Sequence, residues 1–368
     1  MHALGGRSMS NAATIKDVAL KAGCGVATVS RVLNNTGSAS PKMRERVAAA
    51  VKELDFQFSE VGRSLQSSKS NTIGFIVPSL ANPVYADALQ GAQEVLTLSG
   101  YQMLLICTNY SPESELNAVR TLISKNVAGI VLTVSDAENS EGLSLIRKRQ
   151  LPHCLLYNTA KDNHESWSID DKAAAKRVAY AFSEYSHRET GFLALNFYKS
   201  DRARQRYEGF CAGCKEKGMK EPRLLEIGED FEGLTESLNN FLKKYPTISG
   251  IFASNDFLAL ATIRSARKLA LSVPGDLSII GFDGIEVGLM VEPSLATIST
   301  EPKILGAGAG RTVLSLIENT SVPSSPSAEQ TFNFRAGGSL AFLGAESSDD
   351  GKISAFPSSL DPTTRKKI

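Results

Sequence analysis

Hydrophobic and polar positions follow two different patterns along this chain, and the pattern changes near residue 70. Before that point, apolar residues recur at the three- and four-residue spacing of amphipathic helices. After Asn71, short apolar runs alternate with longer amphipathic segments, which is typical of strands and helices in a parallel α/β protein. The sequence therefore predicts a small helical head followed by a much larger α/β region.

The head pattern predicts three short helices around one small core. In residues 14–34, TIKDVALKAGCGVATVSRVLN, the apolar positions form one face on each of two helices, which are joined by a Gly-Cys-Gly turn. A third helix is predicted to start at Pro41, with Ser40 as its N-cap. Outside its apolar face, the second helix carries small polar residues and Arg31, and such a helix suits the major groove of DNA.

A linker at residues 56–70 follows the head and ends in the flexible composition SSKS. Ser59 could cap one or two helical turns through Leu65, but so short a helix is unstable on its own. Gly62 weakens it further, by roughly 1 kcal/mol relative to alanine. Two interpretations of Leu65 stay open. It packs on the domain behind it, or it enters the minor groove and kinks DNA when the helix forms.

From residue 71 the pattern predicts two successive α/β units of similar size. Strands are predicted at residues 72–78, 102–108, 128–133, 155–157 and 166–169, and again at 191–196, 224–227, 250–254 and 277–282. Helices are predicted at 82–99, 113–125, 142–149, 170–185, 201–217, 234–244 and 256–271. The predicted fold class is α/β, with an all-α helix-turn-helix head and a two-lobed, doubly wound core. Ligands of such sheets bind at the carboxyl ends of the strands, so the cleft between the lobes is the expected site.

The domain boundaries are predicted from changes in composition. They are a flexible lead-in at 1–13, the helix-turn-helix domain at 14–58, a hinge helix and linker at 59–70, the two-lobed region at 71–344, and a tail at 345–368. The tail is rich in Ser, Asp and Pro and is expected to be disordered. The first lobe is predicted to combine 71–169 with 296–325, and the second 170–295 with 326–344, including a late strand at 331–334.

Charge is spread unevenly, although the 368-residue chain has a net charge of only +1. Through Lys69, ten Lys and Arg residues stand against five acids, so the head carries about +5 and the remainder about −4. A basic head on a mildly acidic body fits a nucleic-acid-binding module. Five irregularly spaced cysteines favour reduced thiols and a cytoplasmic location. No apolar run approaches the roughly 18 residues of a membrane span. Residues 1–10 lack the apolar core of a signal peptide, and Met9 is a second candidate for the natural start of translation.

Several stretches resemble the LacI (lactose-repressor) family of transcription regulators, over roughly residues 14–344. TIKDVALKAG and ATVSRVLNN resemble its DNA-binding signature, RERVAAAVKEL its third helix, and NTIGFIVPSLANPVYADALQG the start of its effector domain. RARQRYEGF, SNDFLALA and SIIGFDG resemble its later landmarks. The resemblance implies a homodimer in which each chain has a DNA-binding head, a hinge helix and a core like periplasmic sugar-binding proteins. A small effector closes the lobes and changes the distance between the hinge helices.

The resemblance also assigns DNA contacts, mostly to the second helix. The implied set is Thr14, Lys16, Gly25, Val26, Ala27, Thr28, Ser30, Arg31, Asn34, Ser59, Gly62 and Leu65. Val26 and Ala27 occupy the base-reading places, and Arg31 would reach a guanine edge or a phosphate. The alternative for Arg31 is a solvated surface charge. Gly25 stands where relatives have a capping serine, Phe58-Ser59 where they have Pro-Asn, and Gly62 where they have alanine. These departures suggest a hinge helix that depends strongly on DNA for its folding.

The effector cleft is assigned in the same way. Its implied lining is Val84, Tyr85, Arg206, Phe231, Asn255 and Asp283, with Arg202 and Asp170 as weaker candidates. Arg206 would grip the ligand bidentately, and Phe231 would stack on it. The alternatives are a structural ion pair between Arg206 and Asp283, another involving Arg202 and Asp170, and a core position for Phe231. These residue types together suit a polyol such as a sugar or a nucleoside, without choosing between them.

Other motifs do not support a further activity. Cys211 and Cys214 lie on a predicted helix and lack further metal ligands at suitable spacing. The run Gly306-Ala307-Gly308-Ala309-Gly310 does not have nucleotide-binding spacing and is expected to be a closely packed helix. No catalytic constellation, metal site or cofactor is predicted.

The sequence therefore predicts a DNA-binding transcription regulator, with repression as the favoured direction, that binds a pseudo-palindromic operator as a homodimer. A small polar effector, carbohydrate-like, would control its affinity for DNA. The alternatives are a solute-binding protein without a regulatory role and a regulator that responds to a nucleoside or purine. An enzyme on a doubly wound fold is disfavoured. The sequence leaves open which operator and which effector are bound, and whether the effector releases or enforces DNA binding.

Overall fold

The computed structural model describes residues 13–33, 37–56, 70–159, 165–228, 231–323 and 332–343. The chain divides into two compact units between Ser70 and Asn71. The predictions for Asn34, for Ser59, Gly62 and Leu65 of the hinge, and for residues 1–12 and 344–368 lie outside the described residues.

The N-terminal unit is a helix-turn-helix followed by a third helix, as predicted: α1 (Ile15–Ala22), α2 (Val26–Leu33) and α3 (Pro41–Glu53). Val18, Val29 and Val47, one from each helix, are fully buried at its centre. The turn after α1 uses Gly23 at φ 60°, a left-handed conformation that glycine adopts without steric cost. Ser40 caps α3 by accepting a hydrogen bond from the Met43 N–H.

The first lobe contains a five-stranded parallel sheet in the order β2-β1-β3-β4-β5. Its elements are β1 (Thr72–Val77), α4 (Pro83–Leu98), β2 (Gln102–Cys107), α5 (Pro112–Ser124), β3 (Gly129–Leu132), α6 (Glu141–Lys148), β4 (His153–Leu156) and β5 (Ser166–Trp167). The central strands β1 and β3 are buried on both faces, which accounts for their continuous apolar sequences.

The second lobe contains a six-stranded sheet in the order β11-β10-β9-β8-β6-β7. Its elements are α7 (Asp171–Glu184), β6 (Thr190–Leu195), α8 (Asp201–Glu216), β7 (Arg223–Ile227), α9 (Leu234–Lys244), β8 (Gly250–Ala253), α10 (Asp256–Lys268), β9 (Ser278–Asp283), α11 (Val287–Met290), β10 (Ala296–Ser299) and, after a helix α12 (Pro302–Glu318), β11 (Asn333–Arg335). Only β11 runs antiparallel to its neighbour among these strands. Both sheets share the doubly wound order in which the second strand lies outside the first, so the two-lobed α/β prediction is confirmed.

The predicted elements agree with the observed ones to within three residues at each end, with two omissions, β10 and α11. β10 also corrects the predicted lobe assignment. Thr297 and Ile298 pair in parallel with Gly281 and Phe282 of β9, so residues 296–299 belong to the second lobe and not to the first. The chain returns to the first lobe only after β10, where α12 begins at Pro302.

α12 packs closely on α4 and on strands β3, β4 and β5, which confirms the predicted role of its glycines. A Cβ atom added to Gly306 would lie 1.8 Å from the carbonyl oxygen of Ala88, and one added to Gly308 would lie 2.2 Å from the Trp167 ring. Trp167 Nε1 donates a hydrogen bond to Thr312 Oγ1 at 2.8 Å on the same surface. The two helices can therefore approach this closely only with hydrogen atoms at these positions.

We expect Gly306→Ala to destabilise the two-lobed unit by about 1–3 kcal/mol, because the added methyl group would force the α4 backbone away. Gly310→Ala is the matched control. Its added Cβ would come no nearer than 3.5 Å to another atom, so the change should be neutral or stabilise by up to roughly 1 kcal/mol through helix propensity. Urea unfolding of both variants measures the difference, and equal effects would contradict the packing argument.

None of the helices within the described ranges is both long enough and apolar enough to cross a membrane.

Candidate functional site

The predicted DNA-contacting residues of α2 lie on the side of the helix that faces away from the head core. Three of them are exposed, Val26, Ala27 and Arg31, and two are half-buried, Thr28 and Ser30. Val26 has 41% of its surface exposed although it is apolar, whereas Val29 of the same helix is fully buried. Small apolar side chains beside one arginine can contact thymine methyl groups and a guanine edge or a phosphate.

Two further predicted contacts lie at the start of α1. The Asp17 carboxylate accepts hydrogen bonds from the Thr14 hydroxyl and the Thr14 backbone N–H, both at 2.7 Å, and these bonds lower the pKa of Asp17. Lys16 is exposed. Gly25 precedes α2, and its carbonyl oxygen accepts the Thr28 N–H at 2.8 Å. Since glycine has no side-chain acceptor, α2 lacks the side-chain cap that the resemblance associates with this position.

Between the two lobes, a buried charged cluster is built around Arg206 of α8. Its Nε donates to Asp171 Oδ1 at 2.6 Å, and its Nη1 donates to the Ser254 carbonyl oxygen at 2.5 Å. The guanidinium lies 3.6 Å from the centroid of the Phe282 ring. Burial disfavours the charge of Arg206, but the Asp171 and Asp283 carboxylates outweigh this and hold its pKa above the ordinary value. Arg206 is therefore a fixed, charged hydrogen-bond donor.

Asp283, at the end of β9, joins this cluster to the first lobe. Its Oδ2 accepts a hydrogen bond from Asn82 Nδ2 at 2.8 Å, and its Oδ1 lies 3.9 Å from Arg206 Nη1. Burial raises the pKa of Asp283 to about 6, although Arg206 and Asn82 oppose this. Near pH 6 the carboxyl group is present in both forms, so it can accept or donate a hydrogen bond.

A second buried acid fixes the loop that follows Asp283. Asp256 Oδ2 accepts the N–H groups of Gly284 and Ile285, both at 2.8 Å, and its Oδ1 accepts the Thr297 hydroxyl at 2.5 Å. Burial and the nearby charge of Asp283 raise the pKa of Asp256 to about 7. Because two of these bonds hold the backbone N–H groups directly after Asp283, they also help to set the direction of its carboxylate.

The first turn of α8 reaches across to the first lobe. The Asp201 carboxylate accepts hydrogen bonds from the Ala137 N–H at 3.2 Å and from Asn158 Nδ2 at 2.9 Å. Arg202 Nη1 donates to the Val134 carbonyl oxygen at 2.9 Å and to Asp201 Oδ1 at 3.2 Å. These contacts hold the lobes together on one side of the charged cluster.

Two buried polar atoms of the cluster have no hydrogen-bond partner, Arg202 Nη2 and Asp171 Oδ2. Arg202 is only 5% exposed and Asp171 only 1%. An unsatisfied buried polar group costs about 1–3 kcal/mol. A ligand between the lobes that accepts from Arg202 and donates to Asp171 would remove this cost.

The first lobe contributes three tyrosines to the same region. The hydroxyls of Tyr85 and Tyr110 lie 3.2 Å apart, and the rings of Tyr85 and Tyr157 meet edge to face with centroids 5.5 Å apart. The Tyr157 hydroxyl donates to the Val84 carbonyl oxygen at 3.0 Å. Burial raises the pKa of Tyr110 and Tyr157 well above the ordinary value, and the charge of Asp283 adds to this. Tyr110 and Tyr157 therefore stay neutral, and the three tyrosines together offer ring faces and hydroxyl groups.

The structure brings together only part of the predicted effector lining. Tyr85, Arg202, Arg206 and Asp283 belong to the cluster, and Val84 is buried beside it. Asp170 and Asn255 instead cap helices, because Asp170 Oδ1 accepts the Ala173 N–H at 2.9 Å and Asn255 Oδ1 accepts the Leu258 N–H at 2.8 Å. The carboxylate that pairs with an arginine here is that of Asp171, not Asp170. The alternative of a structural ion pair between Arg206 and Asp283 is met only at 3.9 Å, whereas Asp171 lies 2.6 Å from Arg206 and is its closer partner.

Phe231 lies apart from the charged cluster. It is half-buried against the core of the second lobe, and its backbone N–H donates to the Gly228 carbonyl oxygen at 3.1 Å. It lines a surface cavity of about 510 Å³ with residues of α9 and α10. This placement favours the alternative that Phe231 is a core aromatic residue.

Several members of the cluster were not predicted from the sequence. They are Asn82, Tyr110, Tyr157, Asp171, Asp201 and Asp256. One signal was available for Asp171: an acid directly before a helix tends to be its N-cap, so Asp170 should have been assigned to capping and Asp171 to the cluster. The tyrosines follow strands without any local motif.

The cluster is equipped to bind a ligand and to hold its orientation. It combines fixed charged donors, buried acids and neutral tyrosine hydroxyls at the carboxyl ends of strands from both sheets. Among the described residues, no group of three or more His, Cys, Asp or Glu side chains could hold a metal ion.

Two family profiles match the chain. The profile described as "Periplasmic binding proteins and sugar binding domain of LacI family" matches residues 70–334. The profile described as "Bacterial regulatory proteins, lacI family" matches residues 14–59. Together they cover both units of the fold.

Individual relatives agree with these profiles. The chain is 33% identical to the ribose operon repressor of Halalkalibacterium halodurans over 83% of its length and 90% of the relative. It is 31% identical to the transcriptional repressor PurR of Photobacterium profundum over 81% of its length and 90% of the relative. In three dimensions it resembles the lac repressor dimer solved with operator and the anti-inducer ONPF, with a TM-score of 0.79 at 21% identity, covering 90% of this chain and 100% of that one.

Proposed function

The chain belongs to the LacI family of bacterial regulatory proteins, and from this we propose that it represses transcription by binding a pseudo-palindromic operator as a homodimer. The observation that carries this proposal is the exposed face of α2, with Val26, Ala27 and Arg31, on a head that matches the family's DNA-binding profile. A helix of this size reads only a few base pairs, so two heads are needed to specify an operator. The relatives are regulators, and the chain is a regulator and not an enzyme.

The cleft between the lobes is proposed to bind a small polar effector that controls operator affinity. Three features support a carbohydrate-like molecule: the buried acids and arginines, the neutral tyrosines, and the match to a profile described as a sugar-binding domain. The similarity to a ribose operon repressor points in the same direction. A nucleoside is the second candidate, because the Tyr85, Tyr110 and Tyr157 rings could stack on a base.

The cell compartment follows from the same proposal. A repressor must reach the chromosome, so we place the protein in the cytoplasm. The five free cysteines fit a compartment in which thiols stay reduced.

Operator binding can be tested without knowing the effector. Genomic fragments selected by the full-length protein are expected to share a pseudo-palindrome and to be shifted in a salt-dependent manner. With six to ten phosphate contacts, affinity should fall by roughly 10³–10⁵-fold between 50 and 200 mM salt. Scrambled DNA of the same length is the control, and it should bind roughly 10³-fold or more weakly. Equal binding to both, or no shift on any fragment, would contradict the proposal and favour a solute-binding protein.

A further inference from the structure

The charges of the interlobe cluster restrict which ligand it can hold. Each buried arginine already has a carboxylate of its own: Arg206 pairs with Asp171 at 2.6 Å and Arg202 with Asp201 at 3.2 Å. Asp283 remains, with the uncharged Asn82 amide as its hydrogen-bond partner and Arg206 only at 3.9 Å. Negative charge is therefore in excess at the centre of the cluster.

The surroundings hold two further buried acids, Glu115 and Asp256, and burial raises the pKa of both. Glu115 is 2% exposed and accepts the Ser135 N–H at 2.8 Å, close enough to Arg202 for their charges to interact. Asp256 is fully buried behind Asp283. No further Lys or Arg side chain of the described residues forms an ion pair with Asp171, Asp201 or Asp283. An anionic group placed here would be desolvated beside carboxylates without a new cation to balance it.

The unpartnered atoms point to hydroxyl groups. Arg202 Nη2 is a donor without an acceptor, and Asp171 Oδ2 is an acceptor without a donor. A hydroxyl group can satisfy either one, because it both donates and accepts. A phosphate or carboxylate group can satisfy only Arg202 and would be repelled by Asp171.

We propose that the effector is an uncharged molecule with several hydroxyl groups, and that phosphorylated or acidic counterparts of it are excluded. This inference rests on the proposed effector function of the cleft. Hydroxyl groups of the ligand would form hydrogen bonds with Asp283, Asp171 Oδ2 and Arg202 Nη2. The apolar face of the ligand would lie against the tyrosine rings. A free sugar and a nucleoside share this chemistry, and both satisfy the charge restriction.

The test is direct binding of matched compounds to the full-length protein, measured by calorimetry and thermal shift. The panel pairs pentoses, hexoses and nucleosides with their phosphates and with the corresponding sugar acids. At least one uncharged member is expected to bind, and its phosphate should bind at least about 100-fold more weakly, since like charges brought together at a binding site cost several kcal/mol. The sugar arm and the nucleoside arm distinguish the two sources of hydroxyl groups.

An Asp283→Asn variant tests the cause of this selectivity. The substitution removes the excess charge without changing the size of the side chain. The ratio of the affinity for the neutral ligand to the affinity for its phosphate should therefore shrink by about tenfold or more. Asp276→Asn is the matched control, since Asp276 is exposed and bonded to Ser272 away from the cluster, and it should leave the ratio unchanged. A phosphate or sugar acid that binds as tightly as its neutral counterpart would overturn the proposal, as would a panel in which no uncharged member binds. Operator binding, measured without any ligand, decides the regulatory function separately.

Discussion

Replacing Arg206 with methionine is expected to destabilise the two-lobed unit by about 3–5 kcal/mol, because it leaves buried carboxylates without their cation. The arginine side chain is 12% exposed and that of Asp171 is 0% exposed, so water cannot take over its role. The variant also loses the hydrogen bond to the Ser254 carbonyl oxygen and the stacking on Phe282. Urea unfolding of the full chain, followed by tyrosine and tryptophan fluorescence, measures the loss.

Arg204→Met is the matched control for this experiment. Arg204 lies on the same helix and pairs with Asp136 at 2.9 Å, but the two side chains are 33% and 29% exposed. Solvent-exposed ion pairs contribute roughly 0–1 kcal/mol, so this variant should be nearly as stable as the parent. If the two substitutions cost the same, the Arg206 cluster does not hold the lobes as described. Arg206→Lys should fall between them, since it keeps the charge but not the planar fork of donors.

The second large effect is expected at Arg31, where substitution by alanine should weaken operator binding by roughly 1–3 kcal/mol for each half-site. For a homodimer this corresponds to roughly 30- to 10⁴-fold in affinity. Stability should hardly change, because Arg31 is exposed at the end of α2. The measurement is a shift titration on the selected operator and on the same operator with single base-pair changes.

The pattern of the loss distinguishes two roles for Arg31. If it contacts a guanine edge, Arg31→Ala should relax specificity at one base pair of each half-site. If it contacts phosphate, binding should weaken equally on all sequences and the salt slope should fall by about 1 for each contact. Lys52→Ala, an exposed change near the end of α3, is the control and should retain most of the affinity. Unchanged affinity for Arg31→Ala would contradict the assignment of α2 as the recognition helix.

Most of the fold could be predicted because its signals are local. Buried parallel strands such as β1 and β3 are continuous apolar runs, and the helices between them begin at Ser, Asn or Asp caps. β10 was not predicted because it has only four residues, Ala296–Ser299, of which two are polar, and because a proline precedes it closely. Its place in the second sheet depends on pairing with β9, which no local pattern encodes.

The charged cluster shows the same division between local and distant information. Arg206 and Asp283, which the family resemblance assigned to the cleft, lie in one cluster, with Arg206 on a helix and Asp283 at the end of a strand. Only the N-cap preference separates Asp170 from Asp171 in the sequence, although the two side chains point in directions about 100° apart around the helix. Asn82 could not be found from the sequence, since the hydrogen bond to Asp283 joins residues 201 positions apart in the chain.

The return of the chain into the first lobe has a consequence for synthesis on the ribosome. α12 covers α4 and the strands β3 to β5, yet it is made long after them, and the Trp167–Thr312 bond spans 145 residues. At about 5–20 residues per second, the nascent first lobe would wait roughly 7 to 30 s for its final helix, with the Trp167 surface still uncovered. A chain that terminates before Pro302 therefore lacks part of the lobe that was made first.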